Sequence, residues 1–116
     1  MRHKNLKNKV GNKSGSNLSM CRNLAASLII NEKISTTSKK AKMTIPFIEK
    51  LITLSKEKSL HHKRRINALL NHKEAEKKLI NDIGKKYKDR NGGYVRDYKI
   101  GYRKGDNASM VRLELV

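Results

Sequence analysis

Apolar residues recur with helical spacing along much of the chain, beginning near residue 16. In residues 16–31 the apolar face holds Leu18, Cys21, Ala25 and Leu28, with Leu24 and Ile29 beside it. This spacing of three and four residues predicts a first helix, for which Ser16 or Asn17 is a suitable N-cap. The helix is expected to end near Asn31.

A second amphipathic segment covers residues 38–58. Its apolar positions are Ala41, Ile45, Ile48 and Ile52, with Leu51 beside them. Thr37 or Ser38 can cap the helix that this pattern predicts. Pro46 lies inside the pattern and lacks the backbone N–H that an interior helical residue donates, so we expect a kink there. The alternative is a break of the helix near Ile45.

Two shorter helices are predicted over residues 60–70 and 73–83. The first is expected to bury Ile66, Leu69 and Leu70, and the second Ala75, Leu79, Ile80 and Ile83. Gly84 follows, and glycine is common just beyond a helix end. We therefore expect the fourth helix to stop at Gly84, to within one turn.

After Gly84 the spacing of apolar residues changes from helical to alternating. The turn 91–93 precedes residues 94–102, whose expected apolar side consists of Tyr94, Tyr98, Ile100 and Tyr102. Nucleobases could stack on these tyrosines, but a core face is the commoner use of such a pattern, and we favour it. A second turn precedes a strand in which Val111, Leu113 and Leu115 alternate with Arg112 and Glu114. Residues 33–37, rich in β-branched side chains, are expected to add a third strand.

These elements predict an α+β fold in two layers, with about four helices packed on a small three-stranded mixed sheet. Residues 1–15 hold five lysines or arginines and no acid, so they are expected to form a basic N-terminal extension that contacts RNA. Residues 16–116 are expected to form a single domain, since a chain of 116 residues suits one compact unit with a modest core.

Charge is the strongest indication of a partner. The chain has 28 Lys and Arg against 10 Asp and Glu, a net charge of +18 at pH 7, which destabilises a small monomer unless a polyanion offsets it. Basic runs, acid-free except for Asp97 beside Arg96, occur in several separate segments, which favours a protein embedded in folded RNA over one lying along a duplex groove. The residues of these runs are Arg2, Lys4, Lys7, Lys9, Lys13, Lys39, Lys40, Lys42, Lys63, Arg64, Arg65, Arg96, Lys99, Arg103 and Lys104. The turn 91–93 is expected to let Arg90 and Arg96 reach RNA together.

Catalytic and metal-binding patterns are missing from the sequence. The four histidines form no HExxH motif or other recognisable ligand spacing, and we expect them at the surface or against RNA. Cys21 lies on the apolar face of the first helix, where burial as a small hydrophobe is the expected role. The glycine pairs 92–93 and 101/105 do not match phosphate loops. We therefore expect no enzymatic activity, no cofactor and no small-molecule substrate.

Compartment and membrane contact follow from hydropathy. No run approaches the ~18 apolar residues of a membrane span, and Met1 is followed by a polar, basic stretch rather than by a signal sequence. A single cysteine favours a reducing compartment. We expect a soluble cytoplasmic protein that does not contact a membrane.

Several blocks of residues resemble one family. They are residues 1–4, Arg22-Asn23-Leu24, Ser27-Leu28, Ile34, Thr36-Thr37, Lys40-Ala41-Lys42, Pro46, 49–54, Arg64-Arg65, 89–94 with Arg96 and Lys99, Gly105-Asp106, Ala108, Met110 and 114–116. The whole set is similar to the bacterial large-subunit ribosomal protein family numbered seventeen. The block 89–94, followed by Gly105-Asp106 and 114–116, is its most specific part.

The resemblance implies a small α/β protein bound to large-subunit ribosomal RNA near the mouth of the nascent-chain exit tunnel. Its further partners would be neighbouring ribosomal proteins, and the ribosome could be cytoplasmic or that of an organelle. The basic arm of the family is represented by Arg2, His3, Lys4 and Lys9, and a further basic position by Arg22. The chain departs from the family near Asn12 and at Ser16-Asn17, where members usually carry Arg and a His-Arg pair.

Two other classes of protein remain as alternatives. An architectural DNA-binding protein would suit the charge and size, but such proteins concentrate their basic residues on one arm or helix. A protein lying on a membrane surface would need a basic amphipathic helix, whereas Arg22 is the only strong cation in the first helix. We therefore expect a structural constituent of the large ribosomal subunit.

Overall fold

The computed structural model describes residues 14–116 of the chain. Its strands are β1 (Lys33–Thr37), β2 (Val95–Tyr102) and β3 (Ser109–Leu115), and its first three helices are α1 (Ser14–Asn31), α2 (Ser38–Ser55) and α3 (Leu60–Leu70). The fourth helix, α4, begins as Lys73–Lys78, continues as a π-helical segment, Leu79–Ile83, and ends as Gly84–Lys86. The predicted α+β architecture is confirmed.

The three strands form one sheet in the order β1-β3-β2. Both pairings are antiparallel, with Thr36 opposite Val111 in one and Tyr98 opposite Arg112 in the other. The prediction of a mixed sheet was therefore wrong. Alternation of apolar and polar residues fixes which side chains share a face, but it carries no information about the direction of a neighbouring strand.

The hydrophobic core lies between the helices and one face of the sheet. Its fully enclosed side chains include Leu28, Ile29, Ile48, Leu51, Ile52, Ile66, Leu79, Ile83 and Leu113. Leu69 and Ile80, which were expected to be buried, pack against this core but remain partly exposed. The two-layer arrangement follows because each helix has one apolar stripe and the sheet has one apolar face to cover.

Pro46 does not break α2. The helix continues through Pro46 to Ser55, so the alternative of two pieces meeting near Ile45 was wrong. Pro46 is exposed, on the side of the helix where water can reach the backbone carbonyl that its missing N–H leaves unbonded. A bend at Pro46 stays a prediction.

Gly84 allows two helices to approach each other closely. It is buried, its φ is −58°, and the helix continues to Lys86, so Gly84 itself is not the residue beyond the helix end. A Cβ at this position would lie 2.5 Å from the backbone oxygen of Ser55 at the end of α2. Glycine is therefore required here by packing rather than by helix termination.

The tyrosines of β2 do not form the predicted core face. Tyr94 is buried just before the strand, but Tyr98, Ile100 and Tyr102 are 43%, 49% and 71% exposed. In the sheet register Asp97 lies opposite Leu113 and Lys99 opposite Val111, so the other set of alternating residues shares the core-facing side. The prediction was wrong because Tyr94 precedes the strand and does not set its phase. A bulge between Lys99 and Gly101 shifts the phase again.

Candidate nucleic-acid interface

The predicted RNA-contacting residues fall into two groups. Arg2, His3, Lys4, Lys7, Lys9 and Lys13 lie outside the described residues. The others are distributed over α1, the first turn of α2, α3, the loop before β2, β2 itself and the turn between β2 and β3. The structure does not gather them into one pocket. Arg22 and Lys40 are partly buried, and the remaining members of the second group are exposed.

Arg22 is engaged inside the protein. Its Nε donates to the carbonyl of Leu69 at 2.8 Å, and a terminal nitrogen donates to the carbonyl of Ala68 at 3.2 Å. These carbonyls belong to the last turn of α3, where backbone acceptors lack helical partners and the helix dipole is negative. Arg22 therefore ties α1 to the end of α3, and its contact with RNA stays a prediction.

Arg103 forms a two-point ion pair with Asp106 in the turn between β2 and β3. Its Nε and a terminal nitrogen lie 2.9 Å and 2.6 Å from the two carboxylate oxygens. The hydrogen bonds from Arg103 and from the backbone N–H of Ala108 lower the pKa of Asp106 to about 2. Much of the positive charge of Arg103 is thus balanced locally. A phosphate at this turn would meet Lys104, which is exposed beside the pair.

The loop that carries Arg90 is held from inside. The ammonium group of Lys56 and the hydroxyl of Tyr94 both donate to the carbonyl of Arg90, the second at 3.0 Å. The Lys56 nitrogen also lies 4.8 Å from the centre of the Tyr94 ring. Burial raises the pKa of the Tyr94 hydroxyl, but contacts with Lys56 and Thr53 outweigh this effect and leave the pKa below its ordinary value. No sequence pattern singled out Lys56, because the carbonyl that it contacts lies 34 residues away.

The two glycines after Arg90 adopt backbone conformations that other residues avoid. Gly92 has φ +154° and Gly93 has φ +64°, as expected for the turn 91–93. The backbone N–H of Val116 donates to the carbonyl of Tyr94 at 2.9 Å, which fixes the chain just after the turn. Arg90 and Arg96 therefore stand on either side of a turn whose geometry is well defined.

The histidines on α3 and before α4 have local structural contacts. His72 Nδ1 accepts the backbone N–H of Ala75 and so caps α4, and the ring of His62 contacts Ser59 at the start of α3. His61 is exposed. Among residues 14–116 no three side chains of His, Cys, Asp or Glu cluster closely enough to hold a metal ion. Cys21 is buried as predicted, and burial raises the pKa of its thiol.

The face of the sheet that points away from the helices carries charges that the sequence had not singled out. Arg112 Nε lies 2.7 Å from Glu114, and the Lys33 nitrogen lies 3.7 Å from the same carboxylate. The guanidinium carbon of Arg112 is 5.7 Å from the centre of the Tyr98 ring. The alternation of Arg112 and Glu114 with core residues did predict that both point outward. Tyr98, in contrast, was expected on the core-facing side of the sheet and lies on the outer side.

In the described part of the chain, no helix combines the length and the hydropathy that a bilayer span requires. Fold and surface together define a class: a small, strongly basic α+β protein whose exposed cations are spread over many secondary-structure elements.

Comparison with known proteins identifies the family within this class. The family model of ribosomal protein L17 matches residues 20–116. The chain is 44% identical over 116 residues to the large ribosomal subunit protein bL17 of Novosphingobium aromaticivorans, covering 100% of this chain and 82% of that protein. It is 44% identical over 108 residues to the bL17 protein of Clostridium perfringens, covering 93% of this chain and 96% of that protein. The chain therefore belongs to the ribosomal protein L17 family.

Proposed function

We propose that the protein is a structural constituent of the large ribosomal subunit and binds its ribosomal RNA mainly through phosphate groups. Membership of the ribosomal protein L17 family supports the first part, since the similar proteins are named as large-subunit proteins. The net charge of +18 supports the second. Phosphate contacts dominate the affinity of basic proteins for nucleic acids.

The distribution of exposed cations carries the proposal. Lys63, Arg64 and Arg65 lie on α3, Arg96 and Lys99 on β2, and Lys39 and Lys42 near the start of α2. All of these residues are exposed. Cations on separate elements can meet phosphates of several RNA segments at once, which suits folded RNA better than a straight duplex. The protein would thereby hold segments of RNA together without changing them chemically.

The location within the ribosome is part of the same proposal. The resemblance of blocks such as 89–94 implies a position near the nascent-chain exit region, in contact with neighbouring ribosomal proteins of the large subunit. A cytoplasmic bacterial-type ribosome is the expected assembly. Co-sedimentation of the protein with the large subunit in a sucrose gradient tests this part, and recovery only in the free fractions would contradict it.

Salt dependence tests the phosphate contacts. If about 6 to 10 phosphates are neutralised, affinity for large-subunit RNA should fall by roughly 10³ to 10⁵ between 50 and 200 mM salt. Filter binding with the full chain measures this slope. A flat response would refute the proposal, and tighter binding to DNA duplex than to folded RNA would favour the architectural DNA-binding alternative.

Two charge variants locate the contacts. A variant in which Lys63, Arg64 and Arg65 are replaced by Gln should bind RNA with a clearly smaller salt slope. The matched control also removes three charges, by replacing Lys50, Lys58 and Lys73 with Gln; each of these lysines is exposed and adjoins a glutamate in the sequence. The control should keep a slope close to that of the wild type. Equal slopes in both variants would show that α3 does not contact phosphate.

A further inference from the structure

The sheet has one face that no described helix covers. On this outer face the residues are Lys33, Ser35 and Thr37 of β1, Met110, Arg112 and Glu114 of β3, and Arg96 and Tyr98 of β2, as the register shows. None of them is buried. The helices pack instead on the side that carries Ile34, Val111 and Leu113.

Tyr98 is the aromatic side chain of this outer face, and its position is fixed by neighbours. It lies directly opposite Arg112, whose guanidinium carbon is 5.7 Å from the ring centre. Arg112 is itself held by Glu114 at 2.7 Å. A side chain held in one conformation before binding loses less entropy when a ligand arrives. The ring nevertheless remains 43% exposed.

The surroundings of Tyr98 are positively charged. Three cations, Arg96, Arg112 and Lys33, share the outer face with one carboxylate, Glu114. Arg96 lies two residues before Tyr98 on the same side of β2 and is exposed. Asp97 lies on the opposite side of the sheet, across from Leu113. The face therefore combines an accessible aromatic ring with an excess of cations.

We propose that Tyr98, supported by Arg112, is a stacking site for an unpaired nucleobase of RNA, with Arg96 and Lys33 binding the flanking phosphates. This inference rests on the proposed function and specifies the RNA feature that the protein recognises. An aromatic ring on an open sheet face accepts a splayed base, whereas the bases of a regular duplex cannot reach it. Charge favours RNA over a protein partner, because the ring is bordered by cations and not by a contiguous apolar patch.

The site is tested with two RNAs that differ only in their bases. The probes are a fluorescent oligouridylate and an abasic oligomer of equal length, bound to the full chain and measured by fluorescence anisotropy. Wild type should bind the oligouridylate about tenfold more tightly than the abasic oligomer, the size expected for one stacked base. Tyr98→Leu should remove this preference, whereas Tyr98→Phe should keep it.

Tyr102→Leu is the matched control. Tyr102 is the more exposed tyrosine of the same strand, but it pairs with Ser109 and so lies on the other side of the sheet from Met110. This variant should retain the base preference, and thermal melting should show that both leucine variants fold.

The possible results separate the two proposals. An equal base preference in wild type and Tyr98→Leu, or none in the wild type while binding stays salt-dependent, would overturn the stacking site and leave the phosphate contacts standing. A loss of neighbouring ribosomal proteins from particles carrying Tyr98→Leu, with the base preference unchanged, would assign the outer face to a protein partner and also overturn it. Absence of salt-dependent binding to any RNA would refute both proposals.

Discussion

Replacing Gly84 with alanine tests the close approach of α2 and α4. Helix propensity alone favours the substitution, since alanine stabilises a helix interior by about 0.8–1 kcal/mol relative to glycine. The added Cβ, however, would lie 2.5 Å from the backbone oxygen of Ser55 and 3.1 Å from its carbonyl carbon. A backbone atom cannot rotate away as a flexible side chain can, so the helices must separate.

The expected result is a net loss of stability. Separating packed helices to admit one methyl group costs typically about 1–3 kcal/mol. This exceeds the gain in helix propensity over most of its range, so we expect Gly84→Ala to lower the free energy of unfolding by up to about 2 kcal/mol. For a domain of this size each kcal/mol lost corresponds to a decrease in Tm of about 4 °C. Circular dichroism during thermal unfolding measures it.

Gly15→Ala is the matched control. Gly15 also lies in a helix, but no atom of residues 14–116 lies within 4 Å of the position its Cβ would occupy. The same substitution should therefore leave the free energy of unfolding unchanged or raise it by up to about 1 kcal/mol, the difference in helix propensity between the two residues, and Tm should not fall. If Gly84→Ala melts at or above the temperature of the wild type, the packing argument is wrong and Gly84 is not needed for the approach of α2 and α4.

Three further predictions concern the candidate interface. Gly93→Val should destabilise the protein by about 1–3 kcal/mol, because Gly93 has φ +64°, whereas Arg96→Ala should lower RNA affinity in filter binding without changing Tm. If Gly93→Val melts like the wild type, or if Arg96→Ala lowers Tm and leaves RNA affinity unchanged, the structural role of Gly93 and the RNA contact of Arg96 have been assigned wrongly. Arg22→Met should lower the free energy of unfolding in urea by about 1–2 kcal/mol through loss of its bonds to the end of α3, with partial recovery in Arg22→Lys. The pKa of Asp106 is lowered in the folded protein, so the stabilisation of the turn by its carboxylate is complete above the pKa of this group in the unfolded chain and is lost as pH falls through about 2. The NMR signal of the Asp106 carboxyl should titrate with a midpoint near pH 2. In Arg103→Gln this midpoint should move toward the ordinary pKa of an aspartate, and a midpoint that the substitution leaves unchanged would contradict the ion pair between Arg103 and Asp106.

The helices were predicted well because their signals are local. The boundaries of α3, 60–70, agree with the structure, since Ser59 caps its start and Asn71 adopts the left-handed conformation just beyond its end. The fourth helix ends at Lys86, within one turn of the predicted end. The packing role of Gly84 was missed, because a glycine that admits a neighbouring helix and a glycine that ends its own helix look alike in sequence. Only the position of Ser55, 29 residues earlier, distinguishes them.

The contacts of surface side chains were harder to predict, because their partners lie far away in the sequence. Acid-free runs correctly identified exposed cations such as Arg64 and Lys42. The carbonyl partners of Arg22 lie 46 and 47 residues away, and the carbonyl partner of Lys56 lies 34 residues away. Contacts at that separation depend on the assembled fold, and neither period nor charge pattern encodes them. Whether each exposed cation meets a phosphate stays a prediction for the experiments above.

The order of the strands has a consequence for how the protein is made. β3 is the central strand of the sheet, yet it is the last of the three to be synthesised, and β1 and β2 make no ladder with each other. While β3 is still missing from a growing chain, β1 and β2 lack the strand that pairs with both of them, and Ile34 and Val95 lack the strand that completes their packing. Helices depend mainly on local contacts and can form earlier, whereas distant strands pair late. The sheet, and with it the outer face that carries Tyr98, therefore comes into being in one late step of folding, after the ribosome making the chain has translated residues 109–115.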